Sequence, residues 1–183
     1  MWNDKAVTNN FIYPINPVEE TVKAGAEILV SINASPSQVG KPNYRLEKFA
    51  KVAESYSLPL VYVNQVGGND DIVFDGTSFV VDGSGALVSI LKSFEEDNAV
   101  FEITKNEGRI SVVRIEESNG LGTLPRSRPE FYFKQIVLGI KDYMRKCGFK
   151  KAVVASSGGV DSALVLALAV EAVGPDNVVA ITM

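Results

Sequence analysis

The sequence predicts an α/β protein in two parts, a layered α/β domain followed by a strand–helix–strand unit. Three observations predict it. First, the apolar runs "AEILVSINAS" and "LPLVYVNQV" flank "GKPNYRLEKFAKVAESYS", in which Leu46, Phe49, Ala50 and Ala53 fall at helical spacing among lysines and glutamates. Second, "IVFDGTSFVVD" and "ALVSIL" are joined by "GSG", the pattern of a hairpin closed by a glycine-rich loop. Third, "KKAVVASSGGVDSALVLALAVEAVG" passes from an apolar strand through serines and glycines into an apolar helix. Strand–helix–strand followed by paired strands belongs to layered α/β architectures rather than bundles.

The elements follow in order. Residues 18–25 read as a short helix and "AEILVSINAS" as a strand emptying into a polar loop. Gly40 and Pro42 punctuate the chain before the helix that follows. "LPLVYVNQV" is the near-continuous β-branched run of a strand covered on both faces. The turn "GGNDD" comes next, and its Asn69, Asp70 and Asp71 are read as turn residues rather than metal ligands. Beyond the hairpin the composition becomes charged, with strands at Val100–Ile103 and Ile110–Ile115. A Gly/Pro stretch at residues 118–129 reads as a linker, which divides the chain into domains at 1–117 and 130–183. After it, Tyr132, Ile136, Ile140 and Tyr143 mark a helix closed by Gly148. A strand at Ala152–Ala155, the serine-glycine loop, the buried helix "SALVLALAVEAV" and a strand at Val178–Thr182 complete one βαβ unit.

Composition excludes several classes of function. The 183 residues are 46% hydrophobic, and 18 basic against 22 acidic residues leave a net charge of −4. With no dense basic cluster, nucleic-acid binding by broad electrostatics is not expected, whereas a small anion held locally remains open. There is no histidine, so His-based acid/base chemistry and His-ligated metals are excluded within the chain. The lone Cys147 forms no internal disulfide and is expected to be a small, partly buried apolar residue. No apolar run approaches about 18 residues, and the N-terminus lacks the features of a signal peptide. A cytoplasmic protein with no membrane partner is expected.

The serine-glycine loop carries the chemistry. A strand entering a helix through such a turn exposes the helix's unpaired N-terminal N–H groups, and with the helix dipole these favour phosphate. Gly158 and Gly159 allow positive φ and a close ligand approach. Ser157 and Ser162 add hydroxyls. Asp161 would repel phosphate directly, so it is expected either to cap the helix or to meet phosphate through a divalent cation. The loop lacks the lysine of a Walker A motif and the spacing of the dinucleotide fingerprint. A capped turn with geometry as its only role is the alternative.

The pattern S-G-G-V-D-S resembles the pyrophosphate loop of the ATP-pyrophosphatases, and its flanks, from "LGIKDYMRKCGFKKAVV" to "NVVAITM", resemble the start of the synthetase domain of the glutamine-dependent NAD synthetase family. "NASPSQVGKPNYR", "YVNQVGGNDDIVFDGTSFVVD" and "MWNDKAV" resemble the later half of that family's nitrilase-like glutaminase domain. The resemblance implies a partial nitrilase-like α/β/β/α layered domain, then the first βαβ unit of a doubly wound parallel-sheet ATP-pyrophosphatase domain. The implied activity is glutamine hydrolysis coupled to ATP-dependent amidation of nicotinate adenine dinucleotide, giving NAD, AMP and pyrophosphate. ATP, Mg2+, glutamine and the dinucleotide are the implied small-molecule partners, and the full-length protein is expected to be a homo-oligomer.

Carried onto this sequence, the resemblance assigns ATP binding to Ser156, Ser157, Gly158, Gly159, Val160, Asp161 and Ser162, with Asp161 also toward metal. Ser156 departs from the leucine-like residue usual before S-G-G. Glutamine binding falls to Trp2, Ser35 and Lys41. The alternatives are a core aromatic, a turn serine and a solvated lysine. Arg45 is read as a surface or structural ion pair. The glutaminase Cys of the pattern Cys-Glu-Asp-x-Trp would precede Met1, and its Glu and Lys would lie further upstream. Cys147 lacks any activating neighbour. No catalytic residue is therefore expected in this chain, which alone is expected to be inactive. A different ATP-pyrophosphatase amidotransferase and a non-catalytic, truncated nucleotide-binding chain are the rival readings.

Overall fold

The computed structural model describes residues 14–115 and 122–182. A first sheet has the strand order β1-β2-β5-β6. Helix α1 (Pro17–Lys23) is capped by Asn16, whose side-chain oxygen accepts the Val18 N–H at 3.1 Å. β1 (Leu29–Asn33) and β2 (Leu60–Asn64) run parallel, Leu29 opposite Leu60 and Asn33 opposite Asn64. The crossover between them is α2 (Lys41–Tyr56), as parallel neighbours require. Ser57 ends α2 in the left-handed conformation. The helix buries Phe49, Val52 and Ala53 against Leu29, Leu60, Tyr62, Phe79 and Val81. The Tyr62 ring stacks on Phe79 and tilts against Phe49, each at 4.7 Å between centroids. Each such aromatic contributes roughly 1.5–3 kcal/mol through burial.

β3 (Val66–Asn69) and β4 (Ile72–Asp75) form a hairpin off the first sheet. Gly67 and Gly68, expected in a turn, are strand residues opposite Phe74 and Val73. The turn falls at Asp70, which takes φ 51°. Glycine is needed at Gly67 because a helix packs directly on its backbone. A Cβ at Gly67, where φ is +125°, would stand 2.7 Å from Asp142 Oδ2, and one at Gly68 would stand 3.5 Å from Gly139 Cα. β5 (Phe79–Val81) and β6 (Leu87–Ile90) are the expected hairpin, antiparallel and irregular at Val80–Val81. β7 (Phe101–Asn106) and β8 (Arg109–Arg114) form a third hairpin through Glu107 and Gly108.

Within the stretch read as a linker, the chain lies along the first sheet. The Gly122 N–H donates to Ile90 O at 2.9 Å, and Leu124 packs on the core. Ser127 then caps α3 (Arg128–Cys147), its hydroxyl accepting the Glu130 N–H at 3.3 Å, and Gly148 closes the helix at φ 74°. The helix is the one expected, but its Tyr132, Ile136 and Tyr143 do not form the face that meets the β3–β4 hairpin. Tyr132, Ile136 and Tyr143 are exposed. The residues that meet the β3–β4 hairpin and its neighbouring segments lie one position round the helix, at 131, 135, 139, 142 and 146, a single face of the 3.6-residue repeat, while α3 also packs against α4. Phe131 meets Phe94 edge-on at 5.1 Å, Gln135 Oε1 accepts the Ser37 hydroxyl at 3.0 Å, and Asp142 and Lys146 engage the Gly68 peptide. Towards the C-terminal end this face is polar because its partner there is the Gly68 backbone, whose N–H and C=O it satisfies.

β9 (Ala152–Ser156) and β10 (Val178–Thr182) pair in parallel, Ala152 opposite Val178, with α4 (Val160–Val173) as crossover. A short 3-10 turn at Pro175–Asn177 precedes β10. α4 buries Leu168, Ala169 and Ala172. Its first turns are exposed at Val160, Leu164 and Val165. The α/β class is the one expected. Cys147, expected partly buried, is exposed at the end of α3, where the chain turns at Gly148.

Candidate functional site

The segment from Ser156 to Ser162 is one turn. Ser156 closes β9, and Ser157 and Gly158 lead to Gly159, the residue before the first turn of α4. Gly158 has φ +82° with open space where a Cβ would stand, so backbone conformation rather than crowding selects glycine there. Gly159 is extended at φ −83°, ψ 161°, and no side chain caps α4. Asp161 does not take the capping role offered as one of its two readings. It lies in the first turn, beyond the cap position, and is exposed. The Ser162 hydroxyl donates to Gly159 O at 2.9 Å and stands 3.4 Å from the Ser157 hydroxyl. Both serines therefore border the uncapped end of a 14-residue helix, where N–H groups and dipole favour an anion.

A second set of predicted residues meets at the ends of β1 and α2. Ser35 and Lys41 line an open pocket with Asn33, Ala34, Pro36 and Tyr44. Lys41 is the first residue of α2 and half-buried. Among the described residues no carboxylate pairs with its ammonium. The Ser35 peptide is fixed by Asn64: its N–H donates to Asn64 Oδ1 at 2.8 Å and its carbonyl accepts from Asn64 Nδ2 at 3.3 Å. Pro36 bridges to Phe74, and the Ser37 N–H donates to Val73 O at 2.7 Å. Trp2 lies outside the described residues.

Sequence reasoning missed Asn64 altogether, and it placed Arg45 too loosely. Arg45 is completely buried and paired with the equally buried Asp75, beneath the pocket. The spacing of Arg45 one turn after Lys41 was the available signal, but nothing in sequence named Asp75 as its partner. Asn69, Asp70 and Asp71 form the β3–β4 turn, and among the described residues no group of three or more acidic or cysteine side chains is arranged to hold a metal.

The fold is a layered α/β part carrying a pocket at a strand end, continued into a βαβ unit whose serine-glycine turn opens an uncapped helix. Residues 132–183 match the sequence model of the NAD synthase family. The chain is 39% identical over all of its 183 residues to the glutamine-dependent NAD(+) synthetase of Synechocystis. It is 35% identical over 94% of its length to that of Acinetobacter baylyi. In structure it is similar to the glutamine-dependent NAD+ synthetase of Acinetobacter baumannii, determined in complex with ADP. That match has a TM-score of 0.78 and 35% identity, and covers 94% of this chain and 31% of that one. The enzyme of Cytophaga hutchinsonii shares the fold, at a TM-score of 0.59. The chain is thus similar to a stretch of the glutamine-dependent NAD+ synthetases, and it spans about a third of the length of the curated relatives it matches.

Proposed function

We propose that this chain is the part of a glutamine-dependent NAD+ synthetase that joins the later half of a nitrilase-like glutaminase domain to the start of an ATP-pyrophosphatase domain. The boundary falls across residues 118–129. The observation that carries the reading is the uncapped N-terminus of α4 directly after β9, bordered by Ser157 and Ser162. Ser156 to Ser162 would cradle the triphosphate of ATP through backbone N–H groups and the two hydroxyls. Asp161, exposed and free of a capping role, fits a magnesium ion held chiefly by phosphate oxygens with a single protein carboxylate. That ion would neutralise phosphate charge. Ser35 and Lys41, with Trp2, would bind glutamine, the ammonium facing the ligand's carboxylate.

In the complete protein, released ammonia would amidate nicotinate adenine dinucleotide. Its carboxylate takes the adenylyl group of ATP with loss of pyrophosphate, and ammonia then displaces AMP to give NAD. The residues of this chain bind and orient in that scheme, and none forms a covalent bond with substrate. No described helix is long and apolar enough to cross a membrane, and we place the enzyme in the cytoplasm as a homo-oligomer. The test is incubation of the complete enzyme with glutamine, ATP, Mg2+ and the dinucleotide. Equimolar NAD, AMP and pyrophosphate are expected, and release of ADP, or of no nucleotide product, would overturn the reading.

A further inference from the structure

We infer that Asn64, supported from behind by Arg45, is a positioning residue that sets ligand affinity at the Ser35–Lys41 pocket by fixing the Ser35 peptide. The inference rests on the reading of that pocket as the glutamine site.

The need for such a residue comes from the topology. β1 and β2 pair in register as far as Asn33 and Asn64. The chain then leaves β2 and reaches β4 only at the Pro36–Phe74 bridge, so β2 no longer offers its backbone to the Ser35 N–H. The Asn64 side chain supplies that acceptor instead. Its oxygen accepts the Ser35 N–H at 2.8 Å, and its nitrogen donates to Ser35 O at 3.3 Å and to Gly76 O at 3.0 Å. Only an amide side chain both accepts and donates in this way. Asn64 is itself held, its backbone N–H donating to the Ser78 hydroxyl at 3.0 Å, and it is only 6% exposed.

Behind it, Arg45 Nη1 stands 3.5 Å from the same Ser35 carbonyl, and its charge is balanced by Asp75. The carboxylate of Asp75 also accepts the Thr77 hydroxyl at 2.8 Å. Arg45 and Asp75 are wholly buried, and among the described residues Arg45 Nε and Asp75 Oδ1 find no hydrogen-bond partner. Apolar side chains of similar volume would serve stability as well or better than a buried pair with unsatisfied atoms. The pair does something such side chains cannot do, which is to present a guanidinium to the pocket wall.

The test uses the complete synthetase and two variants. Asn64→Asp keeps the size and the acceptor for the Ser35 N–H but removes the amide donor. Arg45→Lys keeps the charge beside Asp75 but loses the planar fork that reaches Ser35. Each is expected to raise the KM for glutamine about tenfold, the scale of one hydrogen bond. The kcat should stay within about twofold and ammonia-driven NAD formation should be unchanged. If Asn64→Asp does not fold, Arg45→Lys alone carries the test. An unchanged glutamine KM overturns the inference, and so does a parallel fall in the ammonia-driven rate, because the residues would then support the fold at large. Failure of the unaltered enzyme to form NAD from glutamine would overturn the proposed function instead.

Discussion

The carboxylate of Asp142 in α3 accepts the backbone N–H of Gly68 in β3 at 2.8 Å, across 74 residues of sequence. Arg145 donates to the other carboxylate oxygen at 3.0 Å, and Lys146 donates to the carbonyl of the same Gly68. One glycine peptide is thus held at both ends by two side chains a helical turn apart.

Burial alone would push the Asp142 carboxyl up, but the Gly68 N–H and the Arg145 guanidinium, with Lys146 nearby, outweigh it and hold the carboxyl below its ordinary value of 3.8. A carboxylate whose folded value is lowered contributes stability that is full above the unfolded value and is lost as pH falls through the folded one. Protection of the Gly68 amide from hydrogen exchange should therefore be constant from neutral pH to about 5 and decline below about 4. Asp142→Ala should remove about 1.5–3 kcal/mol of local stability at neutral pH and abolish that pH dependence.

Gly67→Ala should be worse than its single methyl group implies. The backbone is at φ +125° and the new Cβ would stand 2.7 Å from Asp142 Oδ2, so the substitution combines about 1–2 kcal/mol of backbone strain with displacement of the carboxylate. Faster exchange at Gly68 checks this. At Gly158, also at positive φ but facing open space, alanine should bring the strain alone.

Asp161→Ala in the complete enzyme should abolish AMP formation while sparing glutamine hydrolysis, since the two sites are built by different elements. Measuring AMP and glutamate from the same reaction separates the two effects. Unchanged NAD synthesis would remove Asp161 from the assigned phosphate site.

Ser35→Ala together with Lys41→Ala should raise the glutamine concentration for half-maximal rate by about tenfold or more, the scale of a lost charge-assisted contact. Ammonia should still drive synthesis at the original rate, and parallel titrations with the two nitrogen donors check it.

What the sequence made legible were local features. The serine-glycine turn could be read because strand, turn and helix are contiguous and each has its own composition. Ser35 and Lys41 were named through the family resemblance of "NASPSQVGKPNYR", a contiguous stretch from a strand end to the next helix start. Features created by long-range packing were not legible. Asn64 reads as the polar end of an apolar strand, and only the pairing with β1 brings it to Ser35. The partnership of Arg45 and Asp75 needs the β3–β4 hairpin, which was itself obscured because Gly67 and Gly68 are ordinary turn residues in sequence. In α3 the periodicity of Tyr132, Ile136 and Tyr143 gave the helix and its end at Gly148, but the contacts of Gln135, Asp142 and Lys146 with distant backbone and side chains leave no pattern in sequence.

The face of α3 that carries Gln135 and Asp142 works as a gauge. Those residues are seven apart, two turns, and each finds its own mark, Ser37 and Gly68. One residue inserted between them would rotate the far half of the helix by about 100° and advance it about 1.5 Å, so only one of the two marks could be met. An inserted residue could satisfy either the pocket loop or the hairpin, and β9, following directly after the helix, would leave in a new direction. Length variation should therefore be far less tolerated between Gln135 and Asp142 than in the exposed Glu107–Gly108 turn.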